Sequence, residues 1–342
     1  MSDLSERKKQ ILAAIVEQYI RTGEPVGSKG LLSATGMNVS SATIRNEMSE
    51  LSAMGYLEQP HTSSGRVPSQ TGYRYYVDNL MKSREIDEIN RKLIEAGISS
   101  AAGDPEKLIA RAGEVLADLT KCVCVSTTPG GDAMVIRRIE LVPVGVHTAM
   151  LVLLTSNGIL KGRLCRLDSE LNAKIIEEFY NIVKASVIGK SASDISVASM
   201  QTVAASVDTD AFAMIPLIAA VCDLARSSAD SKIMLGGGSN LFGYKDYGGE
   251  APQLLEFLSK KEPLTAVMNG VRAPVDVRIG RENVYRQLEN SSVIVAKYSV
   301  GGNDSGTIGI IGPTRMDYEN IIPSVKFLTG LVGSLITQAL EE

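Results

Sequence analysis

The chain has few residues of several types, and each shortage narrows the range of functions. Its 342 residues contain no tryptophan, two histidines and four cysteines. The histidines and cysteines show no spacing typical of a zinc or iron–sulfur site. The sequence therefore predicts neither a metal site nor a cofactor, and we expect Cys122 and Cys124 to lie buried on one face of a strand.

Long hydrophobic runs are also missing. The longest, over 149–154 and 215–221, fall far short of the ~20 apolar residues that a membrane-spanning helix needs. Residues 1–10 are polar and charged, which is not typical of a signal peptide. We therefore expect no membrane association and a cytoplasmic location.

Neither sign of charge is in strong excess, since the formal net charge is −4. Residues 1–85 contain ten basic and nine acidic residues, so this segment is not a basic domain either. This balance argues against indiscriminate binding of nucleic acid over the whole surface. If the protein binds DNA, the placement of particular side chains must account for it.

Catalytic motifs are incomplete. The glycine run 236–238 is followed by Leu241 where a dinucleotide-binding loop has its third glycine. The segment 189–191 ends like a phosphate-binding loop, but Lys184 stands where such a loop has its first glycine. His147 has no partner typical of a hydrolase, and no carboxylate pair indicates acid–base chemistry. The chain is not predicted to be an enzyme.

The first eighty residues, by contrast, carry a clear helical pattern. Apolar residues recur at three- and four-residue spacing over 5–22, and a second, short helix begins at Ser28. A third helix is capped by either Ser40 or Ser41 and runs to Met54.

The third predicted helix has two chemically different faces. Ile44, Met48 and Leu51 share one face, which must pack against a core. The other face is short and polar, with an arginine that can pair with guanine and an asparagine that can pair with adenine. We therefore predict a recognition helix whose DNA contacts are Ser40, Ser41, Thr43, Arg45, Asn46 and Ser49.

The segment after this helix is typical of the wing of a winged helix-turn-helix. Short strands are predicted over 56–59 and 66–68, with a glycine- and serine-rich tip that suits a phosphate or a minor groove. A winged helix that binds only protein remains the alternative. The DNA contacts predicted from this region are His61, Ser63, Ser64, Gly65 and Arg66, together with Arg74 on the following helix.

Beyond residue 85 the pattern changes to strands mixed with helices. Asn157-Gly158 is a strong hairpin signal between two apolar runs, and a closing helix is expected from Asp317. The predicted fold class is therefore α+β and multidomain, with an antiparallel sheet. The predicted strands cover 122–127, 135–144, 149–154, 159–167, 275–279, 291–300 and 307–312.

Several segments carry a resemblance to a known family. They are VSSATIRNEM at 39–48, HTSSGRVP at 61–68, TGYR at 71–74 and GGGSNL at 236–241. These motifs closely resemble the heat-inducible transcription repressor family, HrcA. The resemblance implies a winged helix over 1–85, a GAF-like domain formed by 86–187 and 265–342, and an inserted dimerising domain over 188–264.

The same resemblance implies a function. It implies a homodimer that binds double-stranded DNA at an inverted-repeat operator, called CIRCE, ahead of chaperone genes, with activity modulated by temperature and a GroEL-type chaperonin. A two-fold dimer presents two recognition helices to two half-sites, so an inverted repeat matches its symmetry. A regulator whose GAF-like domain binds a metabolite remains the alternative.

Overall fold

The chain has an α+β architecture in three parts. The computed structural model describes residues 4–35, 39–61, 65–82, 85–101, 103–130, 134–206, 211–271 and 273–341. Within these ranges, a helical N-terminal part precedes a body built on a five-stranded sheet, and a smaller unit with a three-stranded sheet interrupts that body. The predicted contacts Ser63 and Ser64 lie outside the described residues.

The N-terminal part is a winged helix-turn-helix. Its elements are α1 (Glu6–Thr22), α2 (Ser28–Thr35), α3 (Ser41–Ala53), β1 (Leu57–Glu58), β2 (Val67–Pro68) and α4 (Gln70–Tyr75), followed by a π-helical turn over Tyr76–Leu80. Gly23 ends α1 in the left-handed conformation, with a φ of 68°. Ser40 is the residue that caps α3, because its hydroxyl accepts a hydrogen bond from the N–H of Thr43.

The apolar faces of these helices form one core. Ile44, Met48 and Leu51 of α3 are all buried, which confirms the predicted inner face. At Gly72, a Cβ would lie 2.2 Å from the carbonyl oxygen of Tyr56, so only glycine lets α4 lie this close to the start of the wing. The core thereby fixes the direction of the outer face of α3.

The remaining elements form the first segment of the body, then the smaller unit, and then the second segment of the body. In chain order they are α5 (Glu88–Ile98), α6 (Pro105–Thr120), β3 (Val123–Thr127), β4 (Ile136–Gly145), β5 (Thr148–Thr155), β6 (Leu160–Arg166), α7 (Ala173–Ser186), α8 (Val197–Ser206), α9 (Ala211–Ala229), β7 (Ile233–Gly236), α10 (Ala251–Leu258), α11 (Lys261–Asn269), β8 (Val275–Ile279), β9 (Ser291–Val300), β10 (Asn303–Pro313) and α12 (Tyr318–Glu341). Asn172 caps α7, because its side chain accepts a hydrogen bond from the N–H of Ile175.

The body is a sheet between two layers of helices. Its strands have the order β7-β3-β10-β9-β8, and each neighbouring pair is antiparallel. Alternate residues of β9 face opposite layers, as strand geometry requires. Ile294 and Ala296 pack in the same core as Val325 of α12, whereas Val293 and Val295 pack with Phe257 of α10.

The interruption does not have the predicted borders of 188–264. The smaller unit, here called the insert, runs from β4 to α9, and its core residues lie between Met134 and Ala225. Residues 233–236, which lie in the predicted insertion and outside the predicted strands, form β7 and pair with β3 in the body sheet. Periodicity marks a strand but not the sheet it joins, and both sheets here are antiparallel, so the border could not be read from the pattern.

One described helix, α12, is long and apolar enough to cross a membrane. Its most apolar window is 56% buried inside the fold. Val325, Leu328 and Val332 on its inner face have no measurable exposure, and they pack in the core beneath the body sheet. The helix thus serves as a core element of the body, and its length and composition follow from that burial.

Candidate DNA-binding surface

The outer face of α3 presents the predicted recognition residues side by side. Arg45, Asn46 and Ser49 are exposed, and Thr43 is half-buried. The hydroxyl of Ser49 donates a hydrogen bond to the carbonyl oxygen of Arg45 at 3.0 Å, so its proton is already used within α3. The side chains of Arg45 and Asn46 make no hydrogen bond or ion pair with any described residue, and both are available to a ligand.

The two serines at the start of α3 have structural contacts as well. Ser40 Oγ lies 2.9 Å from Thr43 Oγ1 and also caps the helix. Ser41 Oγ lies 3.1 Å from Ser28 Oγ, which ties the start of α3 to the start of α2. These contacts fix the angle between the two helices of the helix-turn-helix.

A cleft of about 490 Å³ opens between α3, the start of α2 and the base of the wing. Arg45 and Ser49 form its α3 wall, and Arg66 forms its wing wall. The segment Gly27-Ser28-Lys29 forms the third wall, where the N–H groups at the start of α2 carry partial positive charge. No acidic side chain is among the described residues that line this cleft.

Basic residues of α1 are neutralised by carboxylates of α3. Glu47, only 5% exposed, has its Oε2 2.9 Å from Lys8 Nζ and its Oε1 2.5 Å from Arg7 Nη2. Lys8 Nζ also lies 2.8 Å from Glu50. Hydrogen bonding from Lys8 holds the pKa of Glu47 below its ordinary value, although burial opposes this shift. The cluster joins α1 to α3 and leaves these cations little charge to offer DNA.

The basic residues of the cleft have no such partners. Lys29 and Arg45 form no ion pair with any described carboxylate, and Arg66 donates from Nε to the neutral hydroxyl of Ser52 at 3.0 Å. Three cations without carboxylate partners thus line one concave surface, where a phosphate would be attracted. The bulk charge of residues 1–85 conceals this local asymmetry.

Arg66 lies at the base of the wing rather than at its tip. Its N–H and its carbonyl oxygen each form a 2.9 Å hydrogen bond with the backbone of Val26. Its side chain lines the cleft beside α3, so we expect it to contact a backbone phosphate rather than to enter a minor groove. His61 is exposed on the wing, and Gly65 packs against Val26, where a Cβ would lie 2.4 Å from the carbonyl oxygen.

Arg74 does not line this cleft, because its guanidinium is held by the body, and its role as a DNA contact stays a prediction. Its guanidinium binds both carboxylate oxygens of Glu282 and donates to the carbonyl oxygen of Val277 at 2.6 Å. It also reaches Asp78 at 3.1 Å. Hydrogen bonding with Glu282 raises the pKa of Arg74 above its ordinary value. Glu282 lies 208 positions away, so no local pattern could reveal this partner.

Sequence reasoning missed Lys29. It is the second residue of α2, where a positive charge opposes the helix macrodipole. A basic residue at such a position costs the helix some stability, and this cost is a signal that it serves a ligand. The same cleft also includes Gln59.

The cysteines give no sign of a reactive site. All four are buried as free thiols, and burial raises the pKa of the Cys122 and Cys124 thiols, which keeps them protonated. The described residues contain no group of three or more histidine, cysteine or acidic side chains that could hold a metal ion.

The fold and the cationic cleft define a winged helix-turn-helix transcription regulator. Residues 3–85 match the family model described as "Winged helix-turn-helix transcription repressor, HrcA DNA-binding". Residues 106–322 match the model described as "HrcA protein C terminal domain". The two matches cover most of the chain, which therefore belongs to the HrcA family.

Full-length relatives agree with this membership. The heat-inducible transcription repressor HrcA of Carboxydothermus hydrogenoformans is 34% identical over 339 residues, covering 97% of this chain and 98% of the relative. That of Thermoanaerobacter pseudethanolicus is 34% identical over 338 residues, covering 98% and 97%. A crystal structure of a hypothetical protein is 25% identical, has a TM-score of 0.70, and matches over 98% of this chain and 100% of its own. The resemblance found in the sequence is confirmed, and these named relatives are repressors rather than enzymes.

Proposed function

We propose that this protein is a heat-inducible transcriptional repressor that binds an operator through α3 and the adjoining cleft. One observation carries the DNA-binding part: Lys29, Arg45 and Arg66 pair with no described carboxylate, and they line a cleft beside the exposed Asn46. A winged helix that served only protein contacts would not need three such cations at the start of one helix and the base of the wing.

The side chains suggest a division of roles. Arg45 and Asn46 have the geometry to pair bidentately with guanine and adenine edges in the major groove. Lys29 and Arg66 lie where phosphates on either side of the groove would pass, and these contacts carry no base preference. In this division, Arg45 and Asn46 specify the base sequence, and Lys29 and Arg66 hold α3 in position in the major groove.

The insert is proposed as the dimerising domain. Its sheet buries one face against α7 and α9, while Val142, Met150 and Leu164 line up across the other face in direct register. These three side chains are 47%, 40% and 64% exposed, and Leu160, on the same face, is 64% exposed. A contiguous apolar patch of this kind marks an interaction surface, and a second copy of the chain would cover it symmetrically.

A two-fold dimer explains why the operator would be an inverted repeat, such as CIRCE ahead of chaperone genes. We further propose a cytoplasmic location and a GroEL-type chaperonin as a modulating partner. These three points rest on family membership rather than on any described surface.

The body is proposed to be GAF-like and to act as a scaffold. Side chains such as Phe257 and Met268 fill the space between the sheet and α10 and α11, packing against Val293 and Val295. This filling favours the scaffold over the alternative, a metabolite sensor.

Gel-shift titration of the purified full chain tests the proposal. We expect a CIRCE duplex to bind more tightly than a scrambled duplex of equal length, and occupancy to fall on heating and to be restored by added chaperonin. Equal affinity for both duplexes would overturn operator binding. Equal occupancy at all temperatures, with and without chaperonin, would overturn the sensing mechanism alone.

A further inference from the structure

The winged helix shares an apolar core with the body, in which Tyr73 packs on Tyr318, and polar contacts at three places add to this attachment. Arg74 makes the most extensive of these polar contacts. Its guanidinium takes both oxygens of Glu282 and a carbonyl oxygen of β8. Glu282 is itself held, because its carboxylate accepts the N–H of Ile279 at 2.8 Å. A bidentate, charge-assisted contact of this kind fixes an angle as well as a distance. Next to it, Gln70 Oε1 accepts the N–H of Arg281 at 3.0 Å.

Two further contacts complete the attachment. At the end of α1, the Arg315 Nη1 group lies 3.5 Å from the carbonyl oxygen of Ile20, while its Nε binds Asp246 at 2.8 Å. After α4, the buried Tyr76 donates its hydroxyl to Glu319 of α12 at 3.1 Å. Contacts on three elements of the winged helix, α1, α4 and the turn after α4, together oppose rotation of one part against the other.

The insert is attached to the body in a similar way. Glu106 on α6 lies 2.7 Å from Lys232 and 3.6 Å from Lys161 of β6. Where the chain enters and leaves the insert, Thr128 N–H donates to the carbonyl oxygen of Lys232 at 2.9 Å. The apolar sheet face and the recognition helix are therefore connected by two fixed joints within one chain.

None of the contacts that hold the winged helix uses the cleft or the outer face of α3. The attachment leaves the DNA-binding surface uncovered, so it does not act as a lid. It fixes where α3 points relative to the body and, through the body, relative to the apolar face of the insert.

We propose that Arg74 is a positioning residue that sets which spacing between operator half-sites the dimer accepts. The inference rests on the proposed function, namely a dimer formed through the insert. In such a dimer, the contacts that join the winged helix to the body and the body to the insert set the distance between the two recognition helices. DNA presents a half-site to the same side of the double helix only once per ~10 base pairs, so this distance determines which spacing fits. Loosening the joint at Arg74 relaxes spacing discrimination without changing how each helix reads a half-site.

Arg74→Gln tests this, with Arg286→Gln as the matched control. The control removes an arginine from the segment that follows Glu282, where the side chain is 91% exposed and lies 4.0 Å from Glu289. Affinity is measured for CIRCE duplexes whose central spacer is lengthened or shortened one base pair at a time, and for a duplex with a single half-site. Thermal melting verifies that each variant is folded.

We expect the ratio of affinities between the best and the next-best spacer to fall about tenfold in Arg74→Gln, because the lost contact is charge-assisted and bidentate. Affinity for the single half-site should stay within about twofold. Arg74→Lys keeps the positive charge but cannot bind the carboxylate bidentately, so it should retain part of the discrimination between spacers. If Arg74→Gln does not fold, Glu282→Gln breaks the same contact from the other side and should give the same profile.

Two results would overturn the inference and leave the proposed function intact. One is a wild-type chain that binds all spacers equally. The other is a folded Arg74→Gln or Glu282→Gln chain whose spacer profile matches wild type. If wild type binds the inverted repeat no better than a scrambled duplex, the proposed function fails as well.

Discussion

Two surfaces of the molecule remain unsatisfied within one chain, and they are chemically opposite. The cleft beside α3 gathers Lys29, Arg45 and Arg66 without a described carboxylate partner. The outer face of the insert sheet exposes Val142, Met150 and Leu164 in one line. The α1–α3 contact differs from both surfaces, because there Glu47 pairs with Lys8 within the chain.

The contrast shows that the missing partner can be inferred from what a surface leaves unpaired. Cations without carboxylates suit a polyanion, and the benefit weakens with salt. Exposed aliphatic side chains suit another apolar surface, and salt hardly affects that association. Salt dependence and charge insertion therefore distinguish the two surfaces experimentally.

The largest effect is expected at the apolar face. Leu164→Asp places a charge that a second copy would have to desolvate, so we expect the dimer to dissociate and operator affinity to drop about 100-fold or more through lost avidity. Sedimentation and gel shift measure the two effects. Lys184→Asp, on the exposed side of α7, should leave both unchanged. A dimer that persists in Leu164→Asp would exclude this face as the interface.

The second-largest effect is expected for the side chains proposed to contact bases. Arg45→Ala or Asn46→Ala should each weaken binding to the operator by about 1–3 kcal/mol while affecting scrambled DNA much less. Arg21→Ala is the control, because Arg21 is an exposed arginine near the end of α1 that is not among the residues lining the cleft. Unchanged operator affinity in Arg45→Ala would show that the outer face of α3 does not read the bases.

Phosphate contacts should show a smaller and less selective effect. Lys29→Ala and Arg66→Ala should weaken operator and scrambled duplexes alike, and each should reduce the slope of log affinity against log salt by about 0.9 for each half-site that the dimer contacts. Titrations at four salt concentrations measure this slope. Loss of operator affinity alone, with an unchanged slope, would assign these residues to base recognition instead.

The smallest effect is on stability and concerns Glu47. Because its pKa is lowered in the folded chain, it stabilises the winged helix at neutral pH, and this contribution is lost as the pH falls through the folded pKa. Glu47→Gln should lower the melting temperature by about 2–4 °C at pH 7 and by less near pH 3. A difference from wild type that stays constant over this range would mean that the carboxylate charge is not involved.

Local patterns predicted most of the winged helix and much of the strand content. The ends of β8 and β9 agree with their predicted spans, and the Asn157-Gly158 turn joins β5 to β6 as expected. These features depend on residues only a few positions apart. The outer residues Arg45 and Asn46 are exposed as predicted for the same reason, since helical periodicity sets their direction.

Long-range contacts account for what the sequence did not reveal. Arg74 is predicted as a DNA contact but is held by Glu282, and residues 233–236 lie in the predicted insertion but pair with β3 in the body. Lys29 became visible as a site residue only when Arg66 was placed opposite it across the cleft. Each case depends on a partner that folding brings close from elsewhere in the chain.

The order of strands in the body sheet also governs how the chain can fold. The winged helix and the insert are each formed from one continuous stretch, whereas β3 must pair with β10, as in the contact between Thr127 and Thr307, 180 positions apart. During synthesis the first two parts can form while β3 still waits for its partner to be made. Sheets closed by such distant pairs form slowly and expose strand edges meanwhile. We therefore expect assembly of the body, rather than of the DNA-binding part, to be the folding step most sensitive to heat.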